Sequence, residues 1–221
     1  MFASTHFADG RGISVITSPE RAEYMANLPA FSIPNITKGF NQDLVPDRPK
    51  KYKLVHMPGK DIGVVAAHPL NRGDHIMSNT ASVIIDYGSF ETVPQQDILR
   101  LQADAVDFLP ALHRSRFMNL STHNEVEGQL ERVDKILSTN AFDVELEDDN
   151  GDGLYLVFPE SESLEAGEIL IAELTRNLVA RFNHDCRPNA DYYFDPDTLS
   201  QHIHAIRPIA AGEEISITYI E

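Results

Sequence analysis

Residues 181–189 read RFNHDCRPN, and residues 212–219 read GEEISITY. The first segment combines an amide, an imidazole and a thiol with a proline, and the second runs from a glycine to a tyrosine. Taken singly, Asn183 is more often a turn residue, His184 a structural histidine and Tyr219 an ordinary strand residue. Taken together, the spacing of these residues favours a functional site over those structural explanations.

Short apolar runs predict strands on both sides of a helical stretch. Upstream, β-like runs at 52–56, 62–67 and 82–85 are separated by segments that contain glycine, proline or asparagine. The segment GKDIGV at 59–64 leads into the second run, and RGD at 72–74 follows it. Downstream, the predicted strands are 154–158, 191–194, 202–206 and 214–219.

The stretch between residues 94 and 139 has a helical period instead. One predicted face carries Ile98, Leu101, Ala105 and Phe108, and a second carries Val126, Leu130, Val133 and Leu137. Asn124 with Glu127 is typical of a capping box for the second helix. Strands interrupted by a helical insert, without a βαβ rhythm, predict an α+β fold and exclude a doubly wound nucleotide fold.

We expect two parts in the chain. Residues 1–51 form an N-terminal lead-in, in which Ser18 and Pro19 begin a helix and a proline-rich connector follows at 31–49. Residues 52–221 form the main domain, with the helical insert at about 92–139.

Charge and composition exclude several classes of protein. The 221 residues carry a formal net charge of −16, which argues against direct binding to nucleic acid and suits a basic peptide partner. A single cysteine, Cys186, excludes an intrachain disulfide framework and a multi-cysteine zinc site. Neither a signal peptide nor an apolar run long enough for a membrane span is present, so we expect an intracellular protein, nuclear or cytoplasmic.

In this order, the quoted segments resemble those of the SET-domain protein lysine methyltransferases. Residues 183–189 match the pattern N-H-x-C-x-P-N, residues 212–219 match G-E-E-[LI]-x-x-x-Y, and residues 59–64 are similar to the glycine-flanked cofactor strand. The helical insert followed by TNAF at 139–142 resembles the subgroup, common in fungi, with a large insert in the SET domain. The resemblance covers residues 52–221.

The resemblance implies a fold, an activity and a set of site residues. The fold is a SET-domain β-fold of short strands in small sheets, with a helical insert and a C-terminal pseudoknot. The activity is methyl transfer from S-adenosylmethionine to a lysine ε-amine of a basic peptide or protein, histone or non-histone. Tyr219 would be the catalytic tyrosine. The cofactor would be bound by Lys60, Asp61, Ile62, Asn140, Arg181, Phe182, Asn183 and His184, and no metal is expected.

The alternative is a catalytically degenerate SET domain that binds protein or cofactor without turnover. Asn183, His184 and Tyr219 favour the enzyme. Relatives with a large insert continue into a cysteine-rich, zinc-binding segment that closes the lysine channel, and this sequence shows no counterpart. Aspartate at position 61, where glycine is usual, also favours the alternative.

Three further patterns have simpler explanations. Cys186 and His184 suggest a thiol nucleophile, but neighbours on one loop seldom align for that chemistry. Residues 148–153 match the first half of a calcium loop, but Pro159 stands where a bidentate glutamate is required, so an acidic turn is favoured. His202 and His204 alternate on a strand, and without a third ligand nearby a solvated strand face is favoured over a metal site.

Overall fold

The computed structural model describes residues 2–4, 13–32, 50–90, 93–120, 122, 126–144, 154–157 and 181–219. The chain divides into two compact units. Unit 1 comprises Met1–Lys38, Thr80–Pro159 and Pro196–Leu199, and unit 2 comprises Gly39–Asn79, Glu160–Asp195 and Ser200–Glu221. The predicted acidic turn at 148–153 lies outside the described residues, as does nearly all of the predicted connector at 31–49.

The described strands are β1 (Phe2–Ser4), β2 (Ile13–Ile16), β3 (Tyr52–Met57), β4 (Asp61–Ala66), β5 (His75–Thr80), β6 (Val83–Asp86), β7 (Phe142–Val144), β8 (Leu154–Val157), β9 (Asn183–His184), β10 (Ala190–Asp195), β11 (Ser200–Ala205) and β12 (Ser216–Ile217). The described α-helices are α1 (Pro19–Ala26), α2 (Pro29–Ser32), α3 (Gln95–Asp107), α4 (Ala111–Met118) and α5 (Gln129–Asn140). None of the helices in these ranges is long and apolar enough to cross a membrane.

Unit 1 is built on a five-stranded sheet in the order β1-β2-β6-β8-β7. β2 and β6 pair in parallel, with Ser14 opposite Val83, and every residue of both strands is buried. Strands that are covered on both faces read as continuous apolar runs rather than as alternating ones. This burial explains why the run at 82–85, which includes β6, was visible in the sequence as a short apolar stretch.

The helical insert supplies the other half of the core of unit 1. Its buried cluster joins Ile16, Val83 and Ile85 of the sheet to Phe90, Ala105, Val106, Leu109, Phe117, Leu120, Val133, Ile136 and Leu137. Two members of the predicted faces are instead exposed: Phe108, which follows the last residue of α3, and Leu130, in the first turn of α5.

The predicted capping box of α5 is wrong. α5 begins at Gln129, directly after Gly128, which has a φ of 99° and makes no side-chain cap. Glu127 therefore precedes the helix, and Asn124 lies outside the described residues. A glycine can enter the left-handed region without the steric cost that other residues have, so a sharp turn replaces the polar cap here.

The start of α1 agrees with the prediction. The Ser18 hydroxyl accepts a hydrogen bond from the backbone N–H of Arg21 at 3.2 Å, and Pro19 is the first helical residue. The Arg21 guanidinium is buried and lies 3.2 Å from the Asp86 carboxylate of β6. Thr17 donates to the same carboxylate at 2.7 Å. Arg21 and Asp86 thus fix α1 to the central strands by a buried ion pair.

The described residues of unit 2 form three small sheets. β3 and β4 form an antiparallel hairpin, β10, β11 and β5 form a three-stranded sheet, and β9 pairs in parallel with β12. β5 was not predicted because its sequence, HIMSNT, is mostly polar and lacks the β-branched alternation of a typical strand.

The C-terminal segment connects two of these sheets. Its residues 213–215 run antiparallel to β4, where Ile215 N–H donates to the Val64 carbonyl at 2.8 Å, and it then pairs as β12 with β9. The buried Asn189 side chain holds the transition, since it donates to the Glu214 carbonyl at 2.7 Å and accepts from the Ser216 N–H at 2.9 Å. The predicted strand at 214–219 is therefore shorter, because the segment changes partners at residue 216.

Candidate active site

The two quoted motifs meet in unit 2. Because Asn183 and His184 of β9 lie opposite Ser216 and Ile217 of β12, the chain brings Tyr219 beside His184. The Tyr219 backbone N–H donates to His184 Nδ1 at 3.0 Å, and the centres of the two rings are 5.4 Å apart. Residues that are 35 positions apart in sequence thus form one polar cluster.

The Tyr219 hydroxyl is directed inward. The residue as a whole is 58% exposed, but its hydroxyl donates to the carbonyl oxygen of the buried Phe182 at 2.6 Å. Desolvation raises the pKa of Tyr219 above its ordinary value of 10.0. The phenol is therefore neutral at physiological pH. Its proton is engaged with Phe182, and the lone pairs on its oxygen can accept a hydrogen bond from another group.

His184 is held in one tautomer by its neighbours. Its Nδ1 accepts from the Tyr219 N–H, so in the neutral ring the proton resides on Nε2. Nε2 lies 3.4 Å from Cys186 Sγ. The two neighbouring side chains are therefore in contact. The imidazole nevertheless donates toward the sulfur and cannot accept its proton, so the arrangement does not create an activated thiol.

Asn183 takes part in a charged network. Its Nδ2 donates to Glu214 Oε1 at 2.7 Å, and Glu214 also accepts from the Lys60 ammonium at 2.9 and 3.2 Å. An amide oxygen facing the carboxylate would be repelled, so the NH2 group must be the one that faces Glu214. The amide oxygen of Asn183 is consequently the atom that can accept from a ligand.

The β3–β4 hairpin forms the wall next to Asn183. Gly59, with a φ of 79°, makes the turn, and Lys60 N–H donates to the Met57 carbonyl at 3.1 Å. A Cβ atom on Gly63 would collide with Met57 Sδ and lie 3.0 Å from Asn183 Nδ2. With glycine at 63, Met57 and the Asn183 amide both pack closely against β4, and a larger residue there would displace the Met57 side chain.

The remaining predicted site residues lie at defined places. Asp61 and Ile62 are the first residues of β4, with backbones opposite Met57 and His56, so position 61 has ordinary extended backbone. Arg181 and Phe182 directly precede β9. Asn140 belongs to unit 1, where it ends α5 and its side chain donates to the Ile136 carbonyl at 2.8 Å.

Four residues of the cluster were not assigned a role from the sequence: Met57, Gly63, Asn189 and Glu214. Asn189, Glu214 and Gly63 stand inside the quoted motifs, so the motif pattern could have pointed to them. Met57 precedes the glycine segment and carries no motif signal. Its contact with Asn183 depends on the hairpin register.

A second cluster in unit 2 corrects the expectation of a solvated face at His202 and His204. His202 is buried, its Nδ1 lies 2.8 Å from Ser78 Oγ, and the same oxygen lies 2.6 Å from His75 Nε2. The ring of Tyr193 stacks on both His202 and His204. A third histidine is thus nearby, yet no set of three or more His, Cys, Asp or Glu in the described ranges is arranged to hold a metal ion.

The histidine cluster predicts a loss of stability in acid. Burial, together with the nearby His204, His202 and Lys51, lowers the pKa of His75 from 6.5 to about 4. Burial also lowers the pKa of His202, against the opposing effect of Asp195, and that of His204. Below pH 6.5 the unfolded chain binds protons that the folded chain excludes, so stability falls as the pH drops from 6.5 towards 4.

For His75 alone, the expected loss between pH 7 and pH 5 is on the order of 2 kcal/mol. Urea unfolding at several pH values measures it. The free energy of unfolding of His75→Gln should depend less steeply on pH than that of the wild type. The pH dependence that comes from carboxylates is the same in both proteins, so the difference isolates His75. Identical slopes for the two proteins would contradict the assignment.

Comparison with known proteins gives the family. A family model described as SET domain matches residues 61–220. The chain is 25% identical over 174 residues to the histone-lysine N-methyltransferase set5 of Schizosaccharomyces pombe, a match that covers 77% of this chain and 42% of that protein. It is 43% identical over 44 residues to a SET and MYND domain-containing protein of Dictyostelium discoideum, a match that covers 20% of this chain and 12% of that protein. The chain thus spans less than half the length of either relative.

Among solved structures, the chain is similar to the Neurospora SET domain protein DIM-5, a histone lysine methyltransferase. The identity is 15%, the TM-score is 0.42, and the match covers 77% of this chain and 52% of that one. The fold predicted from the motifs, small sheets with several helices, is confirmed by the family match. Because the family model matches well over half of its length, the chain belongs to the SET-domain family.

Proposed function

We propose that this SET domain transfers a methyl group from S-adenosylmethionine to the ε-amine of a lysine in a basic peptide or protein, a histone being one candidate. The observation that supports it most is the convergence of Asn183, His184 and Tyr219 beside Gly63 in unit 2. Amide, imidazole and phenol groups from two distant segments are held there by direct hydrogen bonds.

The residues present fit the cofactor. The missing Cβ of Gly63 leaves the Asn183 amide packed against β4, and the amide oxygen is available as an acceptor. The Phe182 carbonyl adds a second oxygen atom that suits a cationic ligand. Bound S-adenosylmethionine supplies an electrophilic methyl group on a positively charged sulfur.

We assign the holding of the cofactor to the segments Lys60–Ile62 and Arg181–His184 of unit 2. Lys60, Asp61 and Ile62 would act mainly through backbone atoms of the hairpin. Asn183 would accept a hydrogen bond through its amide oxygen. His184, held by Tyr219, keeps the β9 backbone and the tyrosine at a fixed separation.

Tyr219 is assigned to the reacting amine. The Tyr219 hydroxyl donates its hydrogen bond to the Phe182 carbonyl. Its oxygen can therefore accept a hydrogen bond from the lysine nitrogen and orient the nitrogen lone pair. The amine must be neutral to act as a nucleophile, and its ordinary pKa is about 10.4. Removal from water lowers that pKa, because burial disfavours the ammonium form.

The acidic character of the chain supports a basic substrate. A net charge of −16 attracts Lys- and Arg-rich peptides at long range and disfavours direct contact with nucleic acid. Such substrates occur in the nucleus and in the cytoplasm, and we propose that the protein acts in one of these compartments.

Methyl transfer tests the proposal directly. The 221-residue chain is incubated with S-adenosylmethionine labelled on the methyl group and with core histones or a lysine-rich peptide. Label should enter the lysine peptide and be absent from a matched peptide in which arginine replaces every lysine. Cofactor binding with no label in any lysine substrate would instead favour the catalytically degenerate binding module.

Replacing Asn183 by alanine should weaken cofactor binding roughly tenfold or more, since a hydrogen bond to a charged group is removed. Isothermal calorimetry with S-adenosylhomocysteine gives the affinity. Asn27→Ala is the matched control, because the Asn27 side chain lies on the surface and donates to the Glu23 carbonyl of α1. Equal affinities for Asn183→Ala and wild type would refute the assigned contact.

A further inference from the structure

We propose that Glu214 is a positioning residue that sets which atom of the Asn183 amide is presented to the cofactor. The inference rests on the proposed cofactor role of Asn183. Glu214 itself is not assigned to touch the cofactor. Its carboxylate accepts a hydrogen bond from the NH2 group of Asn183. The ion pair with Lys60 helps to orient that carboxylate.

The backbone of residue 214 is held by contacts that do not involve the Glu214 side chain. Residue 214 forms an antiparallel bridge with Val65 of β4, and its carbonyl accepts from the Asn189 side chain at 2.7 Å. The side chain is 21% exposed and reaches Asn183 Nδ2 at 2.7 Å. Two backbone attachments thus aim this carboxylate at one amide nitrogen.

The amide of Asn183 has two nearly isosteric orientations, which differ by exchange of its oxygen and nitrogen. Asn183 Nδ2 also lies 4.0 Å from Met57 Sδ, a weak acceptor that distinguishes poorly between the two orientations. The Glu214 carboxylate distinguishes them strongly, because it attracts the NH2 group and repels the oxygen. Glu214 therefore determines that an acceptor, and not a donor, faces the ligand.

Lys60 has a supporting part. Its ammonium contacts both carboxylate oxygens of Glu214, at 3.2 and 2.9 Å. The Lys60 side chain is 47% exposed, and ion pairs at such positions contribute little energy. We therefore expect removal of the Lys60 charge to affect the cofactor site less than removal of the Glu214 carboxylate.

Affinity measurements on matched variants test the role of Glu214. Glu214→Ala should weaken binding of S-adenosylhomocysteine about tenfold, while Glu214→Gln, which keeps an acceptor for Asn183, should stay within about threefold of wild type. Arg207→Ala is the control, because it removes the neighbouring surface ion pair to Glu213. Thermal unfolding of Glu214→Ala should be close to wild type, since the backbone attachments of residue 214 remain.

A second readout needs no cofactor. The side-chain NH2 signals of Asn183, identified by their loss in Asn183→Ala, should shift in Glu214→Ala and be largely restored in Glu214→Gln. Unchanged Asn183 signals in Glu214→Ala, or wild-type affinity in that variant, would overturn the inference. If the wild type binds no S-adenosylhomocysteine, the proposed function fails, and the NMR signals still decide whether Glu214 orients Asn183.

Discussion

Replacing Tyr219 by phenylalanine should lower the rate of methyl transfer by about a hundredfold or more, because the oriented acceptor for the lysine amine is lost. Affinity for S-adenosylmethionine should change little, since the hydroxyl is assigned to the amine and its proton is engaged with the Phe182 carbonyl. The effect should appear in kcat with a cofactor Kd close to that of wild type.

Steady-state transfer to a lysine peptide, combined with calorimetry of cofactor binding, separates the two quantities. Tyr193→Phe is the matched control. Tyr193 also lies in unit 2 and is exposed, and its ring stacks on His202 and His204, so loss of its hydroxyl should leave transfer unchanged. A parallel loss of transfer and cofactor affinity in Tyr219→Phe would contradict the role given to Tyr219.

Replacing Arg21 by methionine should lower the free energy of unfolding by about 3–5 kcal/mol, because it leaves the Asp86 carboxylate buried without its cation. Arg21 and Asp86 are 4% and 3% exposed, and the 3.2 Å contact joins α1 to the central strand β6. Thr17 still donates to the carboxylate but carries no charge to neutralise it.

Urea unfolding measures this loss, and a double variant identifies its cause. Arg21→Met with Asp86→Leu removes both charges and should recover much of the stability, since a buried pair replaced by apolar groups is often neutral. Arg100→Met is the control, because the Arg100–Asp97 pair is more than half exposed on α3 and should contribute little. A small loss in Arg21→Met, equal to that of the control, would contradict the account.

The family and the general architecture could be predicted because they depend on local patterns. Apolar runs revealed the buried strands of unit 1, and Ser18 with Pro19 revealed the start of α1. β5 was missed because its polar residues are stabilised by tertiary partners: Ser78 lies between His75 and His202 from a neighbouring strand. A pattern of single residues carries no information on such partners.

The site could be predicted only in part, because some of its contacts also depend on tertiary partners. The motifs indicated Asn183, His184 and Tyr219, and the structure brings these residues together. The position of Glu214 beside Asn183 depends on the register between β9 and the C-terminal segment. The Asn189 side chain bonds that segment at residues 214 and 216, a tertiary contact that sequence spacing does not specify.

Calorimetric titration of the 221-residue chain with S-adenosylmethionine and S-adenosylhomocysteine tests the central claim most directly. We predict saturable binding of both compounds, weakened by Asn183→Ala and retained in Tyr219→Phe. No binding of either compound to a sample that unfolds cooperatively would contradict the claim that the residues around Asn183 and Tyr219 form a cofactor site.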